Sequence, residues 1–110
     1  MSYPYTGVLS LDRIIDAILE ERRRQDAKWG EQNHPDGTST ARWLADELAA
    51  RGMTDEHARD GTCTWLDILR EEVFEAFAEE SPALLRAELI QVATVAVQWV
   101  QAIDRRAGTS

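Results

Sequence analysis

Residues 64–106 read TWLDILREEVFEAFAEESPALLRAELIQVATVAVQWVQAIDRR. Thr64 followed three residues later by Asp67 is a capping-box-like start, in which a hydroxyl and a carboxylate satisfy amide protons that the first helical turn leaves unpaired. A helix is therefore predicted from Trp65 to about Glu80. Ser81 and Pro82 interrupt the pattern, and proline suits a first helical position because the N–H it lacks would have no partner there. A following helix is predicted from Pro82 to about Arg106, with Ala107, Gly108, Thr109 and Ser110 as a tail. From Leu89 to Ile103 that helix is apolar on most of its circumference, the pattern of a helix surrounded by other chain rather than half exposed.

Upstream, the same periodicity gives two more helices. Ser10 is placed to cap one whose Leu11, Ile14, Ile15 and Ile18 form a single apolar stripe, running to about Lys28. Residues 1–9, with Tyr3, Pro4, Tyr5 and Gly7, form an irregular lead-in. The polar run from Gly30 to Thr40 carries Asn33, His34, Pro35, Asp36, Gly37 and Thr38 and is the longest loop. Ala41 to Arg51 is a helix with Trp43, Leu44 and Leu48 inward and Gly52 as its stop. Thr54 then caps a short turn through His57, which Gly61 ends. No alternating strand pattern or internal repeat is present, so the fold class is all-α, four-helix-bundle-like, with a single helical domain over residues 10–106.

Composition narrows the partners. Twenty acidic against twelve basic residues give a net charge of −8. General affinity for nucleic acid rests on cations that displace counterions, so DNA and RNA are excluded as expected partners. An anionic small molecule can still bind through a divalent cation that bridges like charges. The single cysteine, Cys63, has no disulfide partner and no zinc-ligand spacing. The start of the chain lacks a basic, apolar leader, and Gln98 and Gln101 interrupt the most apolar segment, so the expectation is a cytoplasmic protein without a membrane span. In 110 residues the apolar circumference of the last helix is hard to cover, and a homodimer or homotetramer with that helix near the interface is expected. A self-contained four-helix core is the alternative.

The chemistry lies in Glu71, Glu72 and Glu75 on one helix and Glu88 and Gln91 on the next. Residues three apart share a helix face, which pairs Glu72 with Glu75 and Glu88 with Gln91. In an antiparallel hairpin about Ser81, a rise of about 1.5 Å per residue puts Glu75 and Glu72 roughly 9 and 13.5 Å from the turn, and Glu88 and Gln91 roughly 10.5 and 15 Å. The pairs are level. Converging buried carboxylates repel unless a cation neutralises them. Hard oxygen donors select Mg²⁺, with Mn²⁺ as its substitute. The bland alternative is a solvated acidic face, which suffices for Glu71, Glu79 and Glu80 but explains neither the level placement nor the apolar setting of Glu88.

The Glu-Glu-x-x-Glu segment at 71–75, its spacer, and Glu-x-x-Gln at 88–91 resemble the signature of the all-α nucleoside triphosphate pyrophosphohydrolases, whose second part usually reads Glu-x-x-Asp. The run Arg24-Gln25-Asp26-Ala27-Lys28-Trp29-Gly30-Glu31-Gln32 is similar to a segment of a MazG-like branch. The resemblance spans roughly residues 11–106. It implies Mg²⁺-dependent attack of water on the α-phosphorus of a nucleoside triphosphate, releasing a nucleoside monophosphate and pyrophosphate. It implies Glu71, Glu72 and Glu75 as catalytic residues, with Glu72, Glu75, Glu88 and Gln91 around the metal. Gln91 departs from the pattern, because an amide oxygen carries no charge and weakens cation binding.

Outside this cluster, Lys28 is the only lysine and a candidate phosphate contact, and Trp29 can stack on a base or anchor a core. Arg22, Arg23 and Arg24 read as a solvated basic face near a helix C-terminus. His34 and His57 read as surface histidines, Asn33 and Asp36 as turn formers able to line a substrate entrance, and Trp65 and Trp99 as packing residues. Two other functions fit the same residues: a nucleotide-binding protein without turnover, favoured if Gln91 disables the site, and a helical adaptor whose acidic face meets a basic partner.

Overall fold

The computed structural model describes residues 7–108, and side chains from Ser10 onward. Those residues form four helices and no strand: α1 (Gly7–Trp29), α2 (Thr40–Asp60), α3 (Trp65–Phe77) and α4 (Pro82–Arg106). The all-α class is as expected from the periodicity. The described residues fall into two compact units, with α4 contributing to each: one comprises residues 7–35 with 97–108, the other residues 36–96.

In the first unit, α1 begins at Gly7, three residues before the expected cap. Ser10 is buried inside the helix instead of capping it. Of its apolar stripe, Ile14 is buried, whereas Leu11, Ile15 and Ile18 are exposed. Beyond Ile18 the surface is laced by ion pairs at helical spacing, Arg22 to Asp26, Arg23 to Glu20 and Arg24 to Glu21. These are solvated pairs of small individual worth, which accords with the basic-face reading of the three arginines. The first six residues of the lead-in and the last two of the tail lie outside the described residues.

The second unit corrects the sequence reading at α2. Gly52 does not stop the helix; α2 continues to Asp60, and Gly61 is its C-cap at φ 73° with its N–H turned back to the carbonyls of Ala58 and His57. A glycine inside a helix costs only about 1 kcal/mol relative to alanine, less than the packing gained by extending α2 along α3. Thr54 caps nothing: its hydroxyl donates to the Ala50 carbonyl at 3.0 Å and the Asp67 carbonyl at 3.2 Å, the second bond linking α2 to α3. Leu44 and Leu48, expected inward, are exposed. Trp43 is half-buried, stacked on Phe74 at 5.7 Å and tilted against Phe77 at 5.0 Å.

The capping box at Thr64 and Asp67 forms as read. α3 ends at Phe77 instead of Glu80 because the loop entering α2 takes its C-terminal groups. The Ser39 amide donates to the Phe77 carbonyl at 2.9 Å, and the Thr40 hydroxyl to the Ala78 carbonyl at 2.6 Å. The Thr40 amide donates to the Glu80 carboxylate at 3.0 Å. α4 has the expected bounds, with Pro82 in its first position. Leu85 and Val95 are buried on it, but Leu84, Leu89, Ile90, Val100 and Ile103 are exposed. The enclosed setting expected of α4 is therefore not supplied by this chain alone. By length and composition α4 would also suffice to cross a membrane.

Candidate metal centre

Glu72 and Glu75 lie three apart on α3, and Glu88 lies on α4 across the 78–81 turn. One oxygen of each falls within 4.8 Å of the others, and all three residues are half-buried. The level placement computed from helical rise is thus accompanied by the right rotation. Partial burial holds the Glu72 carboxyl above its ordinary value of 4.5, and Glu75 and then Glu88 push it further up. Glu88 is raised by the same burial and by the charge of Glu75. Both shifts disfavour the ionised carboxylates, and a dication held among them would oppose burial and repulsion alike by favouring the ionised forms. An all-oxygen donor set of this spacing fits Mg²⁺ or Mn²⁺.

Glu71 faces a neighbouring network on α2. Arg51 reaches Glu47 at 2.9 Å, Glu75 at 3.6 Å and Glu71 at 3.8 Å. Burial raises the Glu71 carboxyl, with Glu75, Asp55 and Glu47 adding to the shift and Arg51 opposing it. Sequence reasoning missed Arg51 and Glu47. The signal was present as an i,i+4 pair, but with α2 stopped at Gly52, Arg51 was only a terminal residue. Gln91 is exposed, one turn beyond Glu88 on α4. Glu79, half-buried, accepts from the Ser81 amide at 3.0 Å, and Glu80, exposed as a solvated acidic residue should be, also accepts from the Thr40 amide at 3.0 Å.

A second cluster joins α2 to α3. Asp67 is only 3% exposed. Its carboxylate meets the His57 Nδ1 at 2.9 Å, the Thr64 amide and hydroxyl at 3.0 Å each, and Arg70 at 2.8 Å. The hydrogen bond from His57, then that from the Thr64 amide, hold its pKa down to about 2. His57 is therefore not the free surface histidine expected, but a half-buried partner of a buried acid.

These opposed shifts predict a pH profile for the metal-free protein. Carboxyls whose folded pKa is raised add stability below their unfolded value and lose it as pH rises through the folded one. Glu72 and Glu88 should therefore make the metal-free protein more stable on mild acidification from neutral pH, until Asp67, depressed to about 2, begins to withdraw its contribution below about pH 4. Thermal melts from pH 7 to pH 3 in chelator check this; a monotonic fall from pH 7 downward would contradict it.

In the first unit, Lys28 and Trp29 line an open pocket with Glu21, Arg24, Gln25 and Gln32. The Lys28 ammonium sits 4.8 Å from the Trp29 ring centroid, and Trp29 is 60% exposed, so it anchors no core. His34 is exposed and bonds Gln32 at 3.0 Å. Cys63 is an exposed free thiol, and Trp65 and Trp99 are half-buried. No family model matches the sequence, and neither the curated proteins nor the solved structures contain a match.

Proposed function

We propose that the chain is a Mg²⁺-dependent nucleoside triphosphate pyrophosphohydrolase, of the all-α MazG-like kind that its acidic signature resembles. The observation that carries the reading is the convergence of Glu72, Glu75 and Glu88 within 4.8 Å. When bound, the metal would supply charge neutralisation for the phosphates and acidify a water molecule. Glu72, Glu75 and Glu88 would hold it, with Gln91 as a weak or indirect fourth contributor. One glutamate would accept a proton from the attacking water; Glu71, raised by burial with Arg51 opposing, is the candidate that the resemblance adds to the three ligands, and Arg51 lies beside both Glu71 and Glu75. Lys28, with its ammonium over the Trp29 ring, stays a candidate phosphate contact that the metal-centre geometry does not bear on.

The test is pyrophosphate release from a panel of nucleoside triphosphates with and without Mg²⁺ or Mn²⁺. Metal-dependent release of pyrophosphate and nucleoside monophosphate is expected, and Gln91→Asp should tighten the Mg²⁺ requirement several-fold by adding a charge. Nucleotide binding without release in both proteins would favour a non-catalytic binding protein. Unchanged melting on adding millimolar Mg²⁺ with nucleotide would favour the adaptor, since a ligand of the native state must stabilise it.

A homodimer or homotetramer in the cytoplasm completes the proposal. Leu84, Leu89, Ile90, Val100 and Ile103 expose on α4 an apolar surface too rich for a solitary soluble helix. We read it as a subunit interface, not a membrane span, because α4 also carries half-buried Glu88. Sedimentation should give at least twice the 12.4 kDa chain mass, and Ile90→Glu should shift it toward the monomer. A wild-type monomer at micromolar concentration would contradict the interface.

A further inference from the structure

We propose that a cavity in the second unit, lined by Asp36, Gly37, Thr38, Trp43 and Phe77, is a slot for a nucleobase that carries an exocyclic amino group. This inference rests on the reading of the substrate as a nucleotide and adds which bases it takes.

The cavity measures about 210 Å³. That is below the roughly 300 Å³ at which pockets for whole drug-sized ligands begin, and suits one ring system with its sugar and phosphates outside. Its walls are built rather than incidental. Trp43 is held by Phe74 and Phe77, with Phe74 and Phe77 themselves edge-on at 6.0 Å. The Ser39 amide and Thr40 hydroxyl fasten the loop carrying Asp36–Thr38 to the end of α3. Gly37, at φ 74°, takes a left-handed turn that a side chain would strain, and no atom stands within 4 Å of the position its Cβ would occupy. Phe77 is 39% exposed despite belonging to an aromatic cluster, which leaves a ring surface for a ligand.

The polar lining sets the preference. An ionised Asp36 carboxylate only accepts hydrogen bonds, and the Thr38 hydroxyl can donate or accept. Amino groups of cytosine, adenine and guanine donate to a carboxylate. Uracil offers one N–H flanked by two carbonyl oxygens, which repel it. Aromatic side chains supply the remaining affinity by stacking, which does not distinguish bases. Phe77 follows Glu75 by two residues on α3, a spacing that puts the slot and the metal centre on different faces of the same helix, so base and phosphates would be held to either side of its C-terminal turn.

The experiment is a titration of the ¹⁵N-labelled full chain, in chelator, with CMP, AMP, GMP and UMP. The Trp43 indole N–H and the Gly37 and Thr38 amides should shift, with UMP bound about tenfold more weakly than the others. Phe77→Leu should weaken all four about tenfold, and Asp36→Asn should erase the preference. Shifts confined to the Trp29 indole, no shift at millimolar nucleotide, or an unchanged preference in Asp36→Asn would overturn the slot. Because no metal is present, failure of the hydrolase reading leaves these signals readable, and failure of the slot leaves metal-dependent pyrophosphate release intact.

Discussion

Glu88→Gln is expected to lower Mg²⁺-dependent kcat/KM for the best nucleoside triphosphate by about a thousandfold, while raising the melting temperature of the metal-free protein by roughly 2–4 °C. The first effect follows from the several kcal/mol that a metal contributes to transition-state charge and water activation, each tenfold in rate being about 1.4 kcal/mol. The second follows from removing one of three like charges whose oxygens lie within 4.8 Å. Repulsions of this kind cost a few tenths of a kcal/mol per pair, and a domain of this size moves several degrees per kcal/mol. The two signs must appear together. A structural role for Glu88 would lower both activity and metal-free stability, whereas a ligand role separates them.

Asp67→Ala is expected to lower the melting temperature by on the order of 10 °C with or without metal. One carboxylate closes the capping box by accepting from the Thr64 amide and hydroxyl, accepts from His57 on α2 and pairs with Arg70. Removing it unpairs all three, although Thr64 keeps its cap on the backbone amide of residue 67, and partly buried donors left unsatisfied typically cost about 1–3 kcal/mol. The wild type should also lose stability between about pH 4 and pH 2 as Asp67 protonates, and the variant should lack that acid limb. Calorimetry of both proteins across this range checks it. His57→Gln, which removes only one partner, should fall between them.

How far the molecule was legible varies with the range of the forces involved. The Thr64–Asp67 box and the Pro82 start were readable because capping is local chemistry within four residues. The Glu72, Glu75 and Glu88 cluster was readable because a rise per residue and a short turn fix the level of two helices. What failed depended on tertiary partners. Gly52 ends nothing, since α2 gains more along α3 than an interior glycine costs, and Thr54 spends its hydroxyl on Ala50 and Asp67. α3 stops at Phe77 because Ser39 and Thr40, nearly forty residues earlier, bind its last groups. His57 was misread for the same reason: its partner lies ten residues away on another helix. Exposure of Leu44 and Leu48 shows that an apolar stripe states what a helix can bury, not what this chain has available to bury it.

The most direct test is a crystal structure of the protein grown with Mn²⁺, with anomalous data collected to locate the ion. One peak is expected between α3 and α4, bonded to oxygens of Glu72, Glu75 and Glu88 at roughly the 2.0–2.2 Å typical of small divalent cations with oxygen ligands. A map with saturating Mn²⁺ in which no ion sits among these three carboxylates, or in which they turn apart toward solvent, would contradict the account.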